Sequence, residues 1–280
     1  MFDLSVRNNR GETLSLTGNK NYTVTKITGL TAAGCTINTS AVAGRDGEQF
    51  HSSRINKRNI VITVLPEYPV EKNRINLYRF FSEKGTVRLS YKNGIRDVYI
   101  DGRVETMDGD LFTMREEIQI SILCPDPFFV KTGTDAGRAC FSPIIPLTEF
   151  PYSPPMEGIC LSEIIKEDME FYNSGTAPAG GLFHVTPYQK INRFCIHSRR
   201  GGYIGVEYQV APYDNLYFNT GKGEKGIWLT REGTRYNLLN HRIRGSTWLE
   251  IVPGLNRFNI EADGFDYILD VNWKEMYEGV

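Results

Sequence analysis

The sequence predicts a mainly β protein of two β-rich domains, with one helix in the first. Three observations predict it. Apolar residues recur with period two along most of the chain. Asn-Gly and Asp-Gly pairs separate such stretches, as they do in hairpins. Seven of the 13 prolines fall between Pro125 and Pro155. Proline cannot donate to a ladder, so a connection and not a sheet interior is expected there.

Taken in order, residues 59–65 (NIVITVL) are nearly all apolar and β-branched, as in a strand covered on both sides. Residues 70–85 follow Pro69 and carry Leu77, Phe80 and Phe81 at helical spacing, with Gly85 as the stop. That stripe predicts a helix packed on a sheet. Residues 86–91 place Val87, Leu89 and Tyr91 on one face. Asn93-Gly94 predicts a type I′ turn, whose two central positions need positive φ. The return strand carries Val98, Ile100 and Val104 inward, Asp108-Gly109 predicts the next turn, and a strand over 111–123 completes a three-stranded meander. It runs into Cys124-Pro125-Asp126-Pro127-Phe128-Phe129. Two prolines stop the strand, the phenylalanines fold back over the core, and Cys124 is a small hydrophobe at the sheet's end.

The second half carries all three tryptophans and reads as a sandwich of short strands. Phe265, Tyr267, Leu269, Val271 and Trp273 share one face, and Asp263-Gly264 predicts a hairpin joining them to residues 257–262. The expected organisation is a first domain over 1–138, a Pro-rich connection over 139–157 and a second domain over 158–280.

Composition excludes several classes. The formal net charge is −1, so no global field favours nucleic acid or an anionic membrane. No apolar run approaches a bilayer span, and residues 1–10 have no apolar signal core, so a cytosolic product or one released by lysis is expected. The five cysteines are odd in number and form no C-x-x-C pair, which predicts free thiols and neither a disulfide framework nor a zinc site. His184, Cys195 and His197 form the one plausible metal cluster, but without any known ligand spacing. Residues 221–226 (GKGEKG) lack P-loop spacing and read as a hairpin tip. No G-x-S-x-G elbow or facing carboxylate pair stands out, so no catalysis and no cofactor are expected. Tyr203, Tyr217 and Trp228 are candidates for contact with a sugar or a partner, with ordinary core or inter-subunit packing as the alternative. Residues 44–58 carry few apolar side chains for their length and cannot bury enough surface to fold onto their own domain.

The CPDPFF stretch at a strand end resembles the distal tail protein family of siphophages. Further segments follow in the order of that family: residues 44–64, the helix with LYRFF, the KNG hairpin and YIDGRVE, then residues 173–181, the PGLN turn and the terminal YEGV. The resemblance implies a structural virion protein of the tail tip or baseplate, not an enzyme. It implies a ring, hexameric in the family, formed by a barrel-like or sandwich-like first domain. The second domain would be a sandwich like those of galectins and carbohydrate-binding modules, pointing outward. Implied partners are other copies of the chain, the tail tube protein, the tail-tip or tail-associated lysin protein, and receptor-binding proteins or cell-wall carbohydrate. No specific nucleic acid and no membrane are implied. Assembly would take place in the bacterial cytoplasm, from a phage or prophage product without a signal peptide. Residues 44–58 then look like an extended arm reaching the neighbouring subunit, with Arg45, Asp46, Gly47, Arg54 and Arg58 at the contact. A carbohydrate-binding adhesin module is the alternative function.

Overall fold

The computed structural model describes residues 2–81, 85–109, 113, 115–133, 137–146, 162–164 and 168–280. The chain divides into two compact units, Met1–Gly133 with Met276–Val280, and Thr134–Glu275.

Unit 1 contains β1 (Asp3–Asn8), β2 (Thr13–Ser15), β3 (Tyr22–Thr28), β4 (Cys35–Ala41), β5 (Glu48–Ile55), β6 (Arg58–Pro66), α1 (Val70–Phe80), β7 (Thr86–Lys92), β8 (Asp97–Gly109), β9 (Ile118–Cys124) and β10 (Phe129–Lys131). Its main sheet is antiparallel, in the order β2-β1-β7-β8-β9-β6-β3, with β10 added beside β8. Alternate residues turn inward to one core, among them Leu4, Val6, Ile60, Ile62, Leu89, Ile100, Ile120 and Ile122. Helix α1 adds Leu77 and Phe80 to that core, and Phe81 follows at its C-cap.

The meander forms with two corrections. Neither Asn93 nor Gly94 has positive φ. The Asn93 carboxamide oxygen instead accepts from the N–H of Ile95 at 2.8 Å and Arg96 at 2.6 Å, so a side chain makes the turn. Asp108 and Gly109 pair with Gln119 and Ile118 inside the ladder, so β8 runs through the expected turn. Strand β6 buries Ile60, Ile62 and Val64 on one face and half-covers Val61, Thr63 and Leu65 on the other, so it is not covered equally on both sides.

Unit 2 contains β11 (Gly137–Phe141), β12 (Ile144–Pro146), β13 (Ser162–Ile164), β14 (Met169–Asn173), β15 (Gly181–Pro187), β16 (Ile191–Ser198), β17 (Tyr203–Val210), β18 (Asn215–Asn219), β19 (Gly226–Arg231), β20 (Thr234–Asn237), β21 (Gly254–Ala262) and β22 (Tyr267–Trp273). It is a sandwich of a six-stranded sheet, β11-β22-β15-β18-β19-β20, on a four-stranded one, β14-β21-β16-β17. Aromatic rings join the sheets: Phe171 meets Trp273 at 4.6 Å, Phe183 meets Phe258 at 5.7 Å, and Phe194 meets Tyr267 at 5.2 Å.

Tyr267, Leu269, Val271 and Trp273 turn inward as expected, whereas Phe265 precedes β22 and is exposed. Strands β21 and β22 lie in different sheets. Asp263-Gly264 is therefore a crossing and not a hairpin turn. The Asp263 carboxylate fixes that crossing by accepting from the N–H of Asn192 at 2.9 Å and of Arg193 at 3.2 Å. Burial alone would raise its pKa, but these bonds outweigh it and leave the group below the ordinary aspartate value.

Two expected boundaries move. The proline-free segment Gly137–Phe141, expected partly in the first domain and partly in the connection, is β11, laid along β22, with Arg138 paired to Asp270 at 3.0 Å. After β22 the chain returns to unit 1 as β23 (Met276–Tyr277), which pairs with β10. Residues 276–280 thus leave the second unit. Residues 147–161, including Cys160 and most of the expected connection, lie outside the described residues.

Candidate functional site

One hairpin stands apart from both cores. Every residue of β4 and β5 is exposed, and among the described residues these strands pair only with each other. An isolated two-stranded hairpin is marginally stable at best in water. This one is held by polar contacts along one face: Thr36 with Asn56 at 2.9 Å, Asn38 with Ser52 at 2.9 Å, and Ser40 with His51 at 2.6 Å. The opposite face carries the hairpin's apolar side chains, interspersed with Ser53 and with Thr39, whose hydroxyl donates to the Glu48 carboxylate. Cys35 faces Ile55, Ile37 faces Ser53 and, past a bulge that leaves out His51, Thr39 faces Phe50. Ile37 is 61% and Phe50 60% exposed.

The arm's root is the reverse of its blade. Arg58, the first residue of β6, is buried. Its Nε donates to the Pro127 carbonyl at 2.7 Å, Nη1 to the carbonyls of Gly29, at 2.6 Å, and Thr31, and Nη2 to that of Glu278 at 2.6 Å. The guanidinium lies 4.7 Å from the centre of the Phe129 ring. Burial pulls its pKa below the usual arginine value, yet arginine keeps its charge in proteins. One cation therefore ties together the arm's entry, the turn after β9 and the returning tail. Gly29 has φ +85°, and a Cβ there would stand 2.1 Å from the Asn59 carbonyl oxygen, so the chain can turn into the arm only as glycine. Val280 N–H donates to the Leu30 carbonyl at 3.2 Å, and Arg96 lies 3.9 Å from the Tyr277 ring centre.

The CPDPFF stretch belongs to this root. Pro127 supplies a carbonyl, Phe129 the ring beneath the cation, and Cys124 fills the space left by Gly102, where a Cβ would stand 2.9 Å from its sulfur. Burial pushes the Cys124 thiol up to about 11, so it is not an activated nucleophile.

The expected arm residues therefore separate. Arg45, Asp46 and Gly47 sit in the exposed loop between β4 and β5, and Arg54 lies on the polar face opposite Thr36. Arg58 is corrected: its donors are spent inside unit 1, so it is a root residue and not a surface contact. The apolar face with Ile37, Phe50 and Ile55 escaped the sequence reading, which weighed charges and glycines. Its signal was the alternation Cys35, Ile37, Thr39.

The second predicted trio is split. Tyr203 lies on β17 in the four-stranded sheet, stacked on His197 with its hydroxyl on the Arg244 carbonyl at 2.7 Å. Tyr217 and Trp228 are cross-strand partners in the other sheet. They continue a ladder in which His184 stacks on Tyr217 at 4.5 Å, Tyr217 on Trp228 at 5.2 Å, and Arg235 lies 4.1 Å from Trp228. Both faces of Tyr217 are taken, and Trp228 is held between Tyr217 and Arg235. The ladder is thus a row of rings stacked on one another along the sheet. His184 and His197 lie on different sheets and do not converge with Cys195, which is buried. Among the described residues no three His, Cys, Asp or Glu side chains group as metal ligands, and no helix is long and apolar enough to cross a membrane. Residues 221–225 lie in the loop between β18 and β19, and Gly226 opens β19.

No protein-family model and no curated protein matches the chain. Among solved structures, the Dit protein of phage SPP1, described as a paradigm of the hub adsorption apparatus in phages infecting Gram-positive bacteria, aligns with a TM-score of 0.66 over 98% of both chains. The chain has the SPP1 Dit fold. At 11% identity the likeness is one of fold. Chains of the phage P2 baseplate in its activated conformation, with Ca and with Sr, align at TM-scores of 0.44 and 0.42, each at 11% identity over 96% of this chain and 98% of theirs.

Proposed function

We propose that this chain is a structural hub of a phage tail tip. Copies join into a ring, six in number, through unit 1. The ring connects the tail tube to the tail-tip and host-recognition proteins, and unit 2 presents its sandwich to those partners. The chain works by assembly and catalyses no reaction, and the assembled virion is its place of action. The fold shared with SPP1 Dit over nearly all of both chains supports this reading. The observation that carries it is the arm, a hairpin with an apolar face and no surface of its own unit to cover it. A closed ring needs each subunit to offer one patch to a different patch of the next, and a projecting arm is such an offer. Purified full-length protein is expected to show sixfold rings by negative-stain microscopy and a matching mass by light scattering. A monomer at every concentration up to the millimolar range would overturn the reading.

A further inference from the structure

The outer face of the main sheet of unit 1 carries a concentration of positive charge. Strands β1, β7 and β8 are neighbours there, and Arg7 stands opposite Arg88, which stands opposite Asp101. Arg103 follows Asp101 by two residues and shares its face. These four side chains line one concave site of about 580 Å³. Like charges directly opposite each other destabilise a sheet, so the Arg7–Arg88 pairing costs folding something that an anion beside it would offset. Asp101 answers only one of the three arginines. Its two oxygens accept from Nε and Nη2 of Arg88 at 2.7 Å and 2.8 Å. Arg88 is fixed further by the Tyr99 ring, whose centre lies 4.0 Å from the guanidinium carbon. Arg7 and Arg103 are exposed and form no ion pair among the described residues. The groove thus gathers three positive charges against one negative, in a chain whose formal net charge is −1.

We propose that this groove binds an acidic segment of a partner protein, an extended peptide with carboxylates two residues apart, through the free guanidiniums of Arg7 and Arg103. The Cα atoms of the two arginines lie about 12 Å apart, two strand spacings across the sheet and two residues along it. Carboxylates at i and i+2 of an extended peptide stand on one side, about 7 Å apart. Two long side chains that line the same groove can reach both. The planar fork of arginine matches a carboxylate through two parallel bonds, and Arg88 with Asp101 already shows that geometry in this groove. A nucleic acid duplex is the poorer occupant. Two free cations release few counterions, Asp101 would face the phosphates, and the chain as a whole supplies no positive field to draw them in. The groove lies wholly within one copy of unit 1, so it is present in a monomer and in a ring alike.

A fluorescently labelled peptide of alternating glutamate and serine, titrated with the full chain at low salt, tests this by anisotropy. Wild type is expected to bind it, more weakly as salt rises, and not to bind the same peptide with glutamine in place of glutamate. Arg7→Gln combined with Arg103→Gln should lose about tenfold in affinity or more, as the loss of a charged hydrogen bond would give. Lys20→Gln combined with Lys26→Gln removes the same charge from exposed positions elsewhere on unit 1 and should leave the affinity unchanged. Asp101→Asn should bind several-fold more tightly, because it removes the competing carboxylate and frees the Arg88 fork. All these positions are exposed, so thermal melts should match wild type. Should the double arginine variant melt early, Asp101→Asn decides, since misfolding does not raise affinity. A wild type that leaves the peptide unbound, an equal affinity in the double arginine variant, or no gain in Asp101→Asn would overturn the proposal. So would a labelled DNA duplex that binds through Arg7 and Arg103 where the peptide does not, which would make the partner a nucleic acid.

Discussion

The β4–β5 hairpin of unit 1 and the β18–β19 hairpin of unit 2 are written in the same pattern and meet opposite fates. Both alternate apolar and polar residues across an antiparallel pair. In the second, Leu216, Phe218, Ile227 and Leu229 are all buried in the sandwich. In the first, Ile37, Phe50 and Ile55 are all exposed. Period two says which face of a hairpin avoids water. It does not say whether the covering surface lies in the same chain. The difference is one of supply: unit 2 builds a second sheet opposite β18–β19, and among the described residues unit 1 builds nothing opposite its arm.

The largest expected difference between the hairpins is in core stability. Phe218→Ala should cost about 3–5 kcal/mol in urea unfolding, as aromatic truncations in packed cores do. Phe50→Ala in the same assay, run on protein dilute enough to be monomeric, should fall within about 0.5 kcal/mol of wild type. A comparable loss at Phe50 would mean that the arm packs on its own unit, and the comparison would fail.

The root should behave as core although the blade does not. Arg58→Met removes four donors from buried or half-buried carbonyls and should cost about 3 kcal/mol, on the scale of charged hydrogen bonds left unmade. A chain ending at Glu275 keeps Arg58 but should lose at least as much, about 3 kcal/mol or more, since one Arg58 bond, the short β10–β23 pairing and the buried Tyr277 ring go with the tail. Differential scanning calorimetry that placed both losses in unit 2 would contradict the division of the chain.

The smallest effect is read by mass and not by stability. Cys35 and Cys140 are exposed, whereas Cys124 and Cys195 are buried and burial raises both thiols. A short maleimide pulse near neutral pH should label Cys35 and Cys140 in monomer, and Cys124 and Cys195 only after denaturation. Cys35 shares the arm's apolar face, so its labelling should fall as the protein is concentrated into rings while Cys140 stays constant. Equal labelling of both at every concentration would leave that face uncovered.

Much of the fold was legible because its signals are local. The inward alternation of β22, the Leu77–Phe80 stripe and the stop at Pro125 each depend on neighbours a few residues away. What misled were turn pairs whose meaning is set at a distance. Asp263-Gly264 reads as a hairpin, but its carboxylate is held by Asn192 and Arg193, and the chain changes sheet there. Arg58 reads as a surface charge beside Lys57, because the carbonyls that take it in come from residues 29, 31, 127 and 278. The aromatic trio is split for the same reason. Tyr203 and Tyr217 are close in sequence and on different sheets.

Because β23 follows unit 2 in the chain and belongs to unit 1, the ribosome finishes the arm's root last. Residues 29–31 emerge early and wait for Glu278 and Val280 while the whole of unit 2 is translated, roughly 10–30 s at ordinary bacterial elongation rates. During that interval a nascent chain has a blade without its full anchorage. Full anchorage of the arm's root therefore comes only after the second unit has been made. Release of stalled nascent chains ending before residue 276 should give arms digested by protease faster than those of chains that include the tail.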